Sequence, residues 1–344
     1  MKSMSSSKNG AGNRSAGLSS EAFKSTVAQY RELHDDSRST TDDRKANYTT
    51  LVNQYYDLAT DFYEYAWGKS FHFAPRVKGE KFKDSILRHE HFLSRKLGLH
   101  AGMEVLDVGC GVGGPMRNIA RYSGARVVGL NNNAYQIQKG EAHTTREKMG
   151  AQCSFMKADF MKIPSDAERF DAVYTIEASC HAPDRIGLFT ELNRVMKPGA
   201  LFGGYEWCLT DGYDGANADH RRIKKEIEEG DGLPDIAHTS EIDAALLASG
   251  FELIEVCDMA TCGSEERPWY YSLTGGDLSI ASIPRTPIGR SITNVATGIL
   301  EKLKVLPEGT AEVSQFLGKA GDALVEGGQR EIFTPMYYFL ARKK

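Results

Sequence analysis

No apolar run in the 344-residue chain approaches the roughly 20 residues that cross a bilayer, and the N-terminus has no apolar signal region. These absences predict a soluble protein or one bound peripherally to a membrane. Basic residues are not in excess: 42 Lys and Arg stand against 46 Asp and Glu, a formal net charge of −4. Without a global basic field, nucleic acid is not an expected partner. The six cysteines, at 110, 153, 180, 208, 257 and 262, show neither CxxC nor any metal-ligand spacing. No metal is expected, and the thiols are expected to be reduced. Internal repeats are lacking too. What the chain does have is 41% hydrophobic residues. That is ample for a core, in one large domain with insertions or in two domains.

The first fifty residues are a different material. They are polar, and Met1 to Ser20 are too poor in large apolar residues to order themselves. Glu21–Leu33 is expected to form a polar helix. The dense sequence begins near Asn53. From there strands and helices alternate. Strands are expected at Met103–Val108, Arg126–Leu130, Ser154–Ala158, Phe170–Ile176, Ala200–Trp207, Phe251–Asp258 and Met336–Ala341. Helices are expected at Pro115–Tyr122, about Tyr135–Met149, Ile186–Met196 and Glu241–Ala248. Such alternation with short loops predicts a parallel sheet with helices on both faces. A long segment, about Thr261–Thr334, reads as an inserted cap. The expected organisation is a polar, partly disordered region (1–50), a helical and aromatic substrate segment (51–98), a nucleotide-binding core (99–260), and a cap with the last strand (261–344).

The first of these strands ends in Asp107 and runs into a turn packed with Gly109, Gly111, Gly113 and Gly114. Pro115 then suits the first turn of a helix. Glycines let main chain approach a ligand that a Cβ would block. Gly109, Gly111 and Gly114 fit the dinucleotide pattern loosely. Asp107 argues against it, because a carboxylate beside the turn repels a pyrophosphate. It suits a cofactor that carries positive charge and no phosphate, which is S-adenosylmethionine (SAM). A dinucleotide oxidoreductase is further disfavoured by the lack of an acid after the second strand.

Doubly wound sheets bind ligands at the carboxyl ends of their strands. Those ends here supply the glycine loop, then Asn131, Asn132, Asn133 and Gln136, then Asp159 and Phe160. Glu177, Ser179, Cys180 and His181 follow the fourth strand, and Tyr205, Glu206 and Trp207 the fifth. Asp107 and the loop amides suit the methionine end of SAM. Asn131 or a neighbouring amide such as Asn132 suits the ribose, in place of the usual carboxylate. Asp159 suits the adenine amino group unless it caps the following turn, and Phe160 the face of the ring.

A second cluster runs from Asp61 to Phe73. Tyr55, Leu58, Phe62 and Ala66 share a helical face, an ordinary core stripe. Trp67 to Phe73 lie past the helix end. Aromatic loops of this kind line pockets and stabilise cations through ring faces, at about 2 kcal/mol or more when dry. His89 and His91 are two apart on a helix, so they do not form a metal pair. On these features alone, a cyclopropane-synthase or tocopherol-type methyltransferase and a non-catalytic SAM-fold binding protein stay open.

The runs 63–73 (YEYAWGKSFHF), 106–115 (LDVGCGVGGP), 129–133 (GLNNN), 176–182 (IEASCHA), 205–208 (YEWC), 230–234 (GDGLP), 268–275 (PWYYSLTG) and 333–336 (FTPM) together resemble the sterol 24-C-methyltransferase family. The resemblance extends from about residue 50 to the C-terminus. It implies a Rossmann-like class I methyltransferase fold, with a seven-stranded, mostly parallel sheet and an antiparallel last strand. It also implies SAM as cofactor and methylation at C24 of a Δ24-sterol such as zymosterol, giving a 24-methylene sterol in ergosterol-type synthesis. A hydride shift and a deprotonation complete that reaction. An alkene is a weak nucleophile, so catalysis must come from alignment and from a dry site that tolerates a carbocation. Tyr65, Trp67 and His72 are expected to serve the sterol and its cation. Glu64, Glu177, His181, Tyr205 and Glu206 are the candidate bases. Glu177 is a candidate cofactor contact as well.

The cap's Ile283, Ile288, Ile292, Val295, Ile299 and Leu300 are expected either to line a sterol slot or simply to pack helices. Ala66, where many members have Gly, is expected to favour single methylation. The resemblance also implies a cytosolic or peripheral placement, at the cytoplasmic face of the endoplasmic reticulum or at a lipid-droplet surface, and leaves a homo-oligomer open.

Overall fold

A computed structural model of the protein describes residues 18–262, 267–276 and 280–344. Its sheet contains β1 (Glu104–Val108), β2 (Arg126–Asn131), β3 (Cys153–Lys157), β4 (Phe170–Ile176), β5 (Met196–Leu209), β6 (Phe251–Asp258) and β7 (Phe333–Lys343). The order is β3-β2-β1-β4-β5-β7-β6. The first five strands are parallel, and β7 runs antiparallel between β5 and β6. This is the class I methyltransferase fold that the sequence predicts.

The strands read apolar on both faces because both faces are covered. Leu106, Val108, Val173 and Phe202 pack on one side with Leu188, Phe189 and Leu192. Those three side chains come from α7 (Arg185–Val195). Val105, Ala172, Tyr174 and Tyr205 pack on the other with Met116, Ile119 and Leu93. Of these, Met116 and Ile119 lie on α5 (Gly114–Ser123), and Leu93 on α4 (Phe82–Lys96). Helix α5 has Pro115 in its first turn and ends at Gly124, whose φ of 77° places it in the left-handed region. Helix α6 (Ala134–Arg146) follows β2, and α8 (Ala218–Asp231) and α9 (Thr239–Ala248) precede β6. Strand six has the predicted bounds. Strand five begins earlier than expected, at Met196, because that residue pairs with Phe170 across an irregularity in the β4–β5 ladder.

Three features differ from expectation. Helix α1 (Ser20–His34) is amphipathic rather than polar throughout. Phe23, Val27 and Tyr30, spaced four and three apart, are buried against Leu51, Tyr55 and Leu58. Those partners lie on α3 (Tyr48–Trp67), which follows the short α2 (Thr41–Ala46). Second, the thiols are not all free. Cys257 and Cys262 are joined as a disulfide, whereas Cys110, Cys153, Cys180 and Cys208 are free and buried. Third, the cap helices α10 (Pro287–Lys302) and α11 (Thr310–Gln329) do not use their aliphatic residues as expected. Ile288, Ile292, Val295, Ile299 and Leu300 are exposed, as is Ile283 before them. None of them lines the cavity described below. Gly289 and Thr297 are what α10 buries. Among the described residues no helix is long and apolar enough to cross a membrane.

Candidate active site

The site begins where β1 ends. Asp107 is buried, and desolvation pushes its carboxyl up to about 7. The Tyr174 hydroxyl beside it opposes that rise. A buried carboxylate under a glycine turn is a socket for a cationic group. Gly109, Gly111 and Gly113 all have positive φ (78°, 55° and 75°). A Cβ on Gly109 would stand 2.3 Å from the Ala178 Cβ. These residues fit the amino acid end of SAM.

The amides after β2 hold this loop in shape. Asn131 Nδ2 donates to the Gly111 carbonyl at 3.1 Å and to Gln136 Oε1 at 2.8 Å. Asn131 Oδ1 accepts from Asn133 N, and Asn133 in turn caps α6 at Gln136 N. Asn131 and Gln136 are thus committed to the protein, while Asn132 is half-buried beside them. Asp159 Oδ1 accepts from Met161 N at 2.8 Å, the turn cap weighed as its alternative, and also from the Tyr48 hydroxyl. Phe160 stacks on Tyr48 with ring centroids 6.0 Å apart.

Helix α3 crosses these strand ends and is tied to α6. Gln136 Nε2 donates to Thr60 Oγ1, Asn133 Nδ2 to Asp57 Oδ1 at 2.8 Å, and Tyr135 to Asp61 at 2.9 Å. Gly68, with φ 83°, ends the helix and releases the aromatic loop. The loop, the strand ends, α8 and the cap line a cavity of about 120 Å³ that opens to solvent. Tyr56, Tyr63, Trp67, Phe71, Phe73 and Trp207 provide its ring surface, with Leu233, Leu273 and Leu324.

Of the residues expected from sequence, Tyr65, Trp67, His72, Glu177 and His181 all line this cavity. Tyr65 stands at its rim, 65% exposed. Glu177 adopts a left-handed φ of 52°, a strained position for this residue. That turns its carboxylate toward the Phe73 amide and the Trp207 indole, each at 2.8 Å. Desolvation pushes Glu177 up to about 7, against the charge of His72 and these two bonds. His72 Nδ1 meets the Phe73 carbonyl at 2.7 Å and Nε2 meets Glu90 Oε1 at 3.1 Å. Both partners are acceptors, so both nitrogens donate and the ring is an imidazolium. Burial opposes that charge, but the Glu90 bond and charge hold its pKa above the ordinary histidine value.

His181 is the opposite case. Burial lowers it to about 4. Nδ1 faces the Gly232 carbonyl at 3.1 Å and therefore carries the proton, so Nε2 accepts from the Tyr56 hydroxyl at 2.9 Å.

Glu64, Tyr205 and Glu206 are not brought to the cavity. Glu64 is turned toward α6, where Lys139 and His143 take its oxygens and hold its pKa down despite desolvation. Tyr205 and Glu206 are adjacent on β5 and so point to opposite faces. The Tyr205 hydroxyl donates to the His89 carbonyl and its ring stacks on His89 at 3.6 Å. Glu206 is fully buried, taking bonds from Ser179 and from Trp207 N.

Sequence reasoning missed Asp231. It lines the cavity, its Oδ1 accepts from the Tyr63 hydroxyl at 2.9 Å, and the Tyr55 hydroxyl, bonded to Tyr63, also supports its carboxylate. Desolvation pushes it up to about 7. The signal was available. Asp231 ends α8, whose last turn has no basic residue, and an acid there opposes the helix dipole. Glu90 was also passed over. Its carboxylate joins His72 and Ser70 of the aromatic loop to Asn118 of α5.

Comparisons with known proteins bear on the family and the fold. Residues 106–203 match a family model described as a methyltransferase domain, and residues 280–344 one described as sterol methyltransferase C-terminal. The cycloartenol-C-24-methyltransferase of Arabidopsis thaliana is 53% identical, over 92% of this chain and 94% of its own. The sterol 24-C-methyltransferase of Saccharomyces cerevisiae is 47% identical, over 87% and 80%. That of Aspergillus fumigatus is 45% identical, over 95% and 90%. Among solved structures, a cyclopropane synthase from Mycobacterium tuberculosis superposes with TM-score 0.67 at 16% identity, covering 86% of this chain and 98% of its own. A putative sarcosine dimethylglycine methyltransferase from Galdieria sulphuraria gives 0.65 at 18%, covering 84% and 98%. At such identities these two speak for the fold alone. The long, high-identity matches carry the assignment: the chain belongs to the sterol C24-methyltransferase family and is a SAM-dependent enzyme.

Proposed function

We propose that the chain transfers a methyl group to C24 of a Δ24-sterol, and that Asp231 takes the final proton. The observation that carries this reading is the cavity itself. It is walled by aromatic rings and holds two carboxyls that burial raises, Glu177 and Asp231. SAM, when bound, supplies an electrophilic methyl to the side-chain alkene. Asp107 and the loop amides would hold its amino acid end, and Asn132 would take the ribose. Tyr63, Trp67, Phe71, Phe73 and Trp207 present ring faces that steady positive charge at C25 without attacking it. The hydride moves from C24 to C25, and a proton leaves the added carbon to give the 24-methylene product. Glu177 and Asp231 are both raised to about 7, but the Phe73 amide and the Trp207 indole occupy both oxygens of Glu177, which leaves Asp231 the better placed of the two. A pKa near 7 suits Asp231 as a base at neutral pH.

The sequence pattern suggested a zymosterol-like substrate. The higher identity to a plant cycloartenol methyltransferase makes cycloartenol the first sterol to try. Incubation with labelled SAM and both sterols, with mass analysis of products, tests the reading. Methylation of neither would refute it. Asp231→Asn is expected to lower turnover at least about 100-fold while SAM affinity stays unchanged. Full activity in that variant would remove Asp231 from the mechanism.

A further inference from the structure

Helix α10 is built inside out. Its buried side carries Gly289 and Thr297, and Arg290 and Thr293 on that side line the cavity. Its outer side carries Ile288, Ile292, Val295, Ile299 and Leu303, each between 52% and 74% exposed. Spacings of four, three, four and four place them in one row along the helix. A soluble monomer seldom leaves so continuous an aliphatic row in water. A helix of 16 residues is only about 24 Å long, too short to span a bilayer, but it can lie in one.

Charge decides what the row meets. Within residues 287–305 the one carboxylate is Glu301, and it is turned inward to accept the Ala311 amide at 2.8 Å. Nearby acids are each matched: Glu308 by Lys24, Glu312 by Arg31 and Asp322 by Arg290. Lys302 and Lys304 alternate with Leu303 and Val305 at the exposed end of the row, and neither forms an ion pair among the described residues. Unpaired lysines beside an aliphatic row match anionic lipid headgroups over acyl chains. A second copy of this face would bring the same lysines to a shared apolar interface.

We propose that the outer face of α10 lies in the surface of an anionic lipid bilayer. Arg290 and Thr293, on the opposite side of that helix, would then bring the cavity wall to the bilayer from which an apolar substrate enters. That last step rests on the sterol reading; the docking itself does not.

The test uses the full-length protein and vesicles free of sterol, of phosphatidylcholine with or without about 30 mol% phosphatidylserine. Flotation is expected with phosphatidylserine. A triple variant, Ile292→Ser, Val295→Ser and Ile299→Ser, is expected to partition at least about tenfold less, since three aliphatic side chains leave the membrane. Lys302→Gln with Lys304→Gln is expected to lose the preference for phosphatidylserine, not the residual binding to phosphatidylcholine. Given sterol in cyclodextrin, the triple variant should turn over within about twofold of wild type, and given sterol in vesicles it should be several-fold slower. Equal flotation of wild type and triple variant would overturn the proposal. So would a wild-type dimer, seen by light scattering, that the triple variant dissociates while neither protein floats. Vesicle binding lost in the variant, with no sterol methylated by either protein, would uphold the docking and refute the substrate reading.

Discussion

Helices α5 and α10 carry similar aliphatic stripes and point them in opposite directions. In α5, Met116, Ile119 and Ala120 are fully buried beneath the sheet. In α10 the comparable row faces outward, and a glycine and a threonine face in. Periodicity shows that a helix has two faces. It does not show what covers each. For α5 the cover follows from its place between β1 and β2, because a right-handed crossover must return its apolar face to the sheet. For α10 the neighbour is α11, which offers Gly318 and Gly321 near Asn294 and Arg290. Small residues there admit polar side chains and leave the isoleucines outside.

The largest effect should come from the same change made in both helices. Ile119→Asp puts a charge under the sheet with no partner and should leave no folded protein, a loss above about 4–5 kcal/mol. Ile292→Asp should alter unfolding in urea by no more than about 0.5 kcal/mol. A comparable loss in both would mean that α10 is covered in solution.

The helix starts sharpen the contrast. A Cβ on Gly114 would lie 2.0 Å from the Lys69 carbonyl, and one on Gly289 would lie 1.6 Å from the Ile283 carbonyl. Each glycine seats its helix against main chain that cannot yield cheaply. Alanine at either position should cost about 1–3 kcal/mol. Their functional readouts should differ. Gly114→Ala displaces Lys69 and Ser70, and with them the Glu90 link to His72, so both SAM affinity and turnover should fall. Gly289→Ala shifts the cap and should lower sterol turnover alone. Calorimetry with S-adenosylhomocysteine separates the two.

The same contrast marks what could be read from sequence. The sheet, the glycine loop and the aromatic block are local patterns, and they fell where expected within a few residues. Site residues were legible as far as they depended on strand ends: Glu177, His181 and Asp107. Alternation along β5 could admit only one of Tyr205 and Glu206, and both are held elsewhere, Tyr205 by His89 and Glu206 by Ser179 and the Trp207 amide. Glu64 was misplaced because its partners, Lys139 and His143, lie 75 and 79 residues away. Asp231 reaches the cavity through Tyr63, 168 residues earlier. Its own segment offered its unfavourable place at a helix end and its place in the run 230–234, but neither gave it a partner. The outward face of α10 is the same kind of fact, set by a neighbour that short-range pattern does not contain.

Asp107, which precedes α5, allows a smaller test. Asp107→Asn should weaken SAM by about 1.5–3 kcal/mol, the worth of a charge-assisted hydrogen bond. The pH dependence has a definite sign. A carboxyl raised to about 7 is protonated in the free enzyme below that value, and a cationic ligand must expel the proton. Affinity should therefore rise with pH, up to tenfold per unit, and level off above about 7. Stability of the free enzyme moves the other way through this group. The folded state keeps a proton between about 4 and 7 that the unfolded chain has released, so its contribution declines as pH rises across that range. Asp107→Asn should abolish the affinity slope. A slope that persists in the variant would assign it to another group, Glu177 or Asp231 first.

The smallest effect should come where α10's end of the molecule meets the aromatic loop. Arg285, just ahead of α10, donates to the Ala66 carbonyl and stacks 4.0 Å over Phe82. Ala66 itself lines the cavity, one residue before Trp67. On the sterol reading proposed above, its methyl would reduce the space for a 24-methylene side chain to re-enter for a second methyl group. The wild type should therefore give mainly singly methylated sterol. Ala66→Gly opens that space and costs helix stability of up to about 1 kcal/mol, less than the seating glycines. Its effect should appear in products rather than in folding: a measurable fraction of ethylidene sterol when the 24-methylene sterol is supplied, with SAM affinity unchanged. If the variant and the wild type give the same product ratio, the volume beside residue 66 does not set the number of methyl groups added. The position of Trp67, held through Arg285 by the cap, would then be the next element to vary.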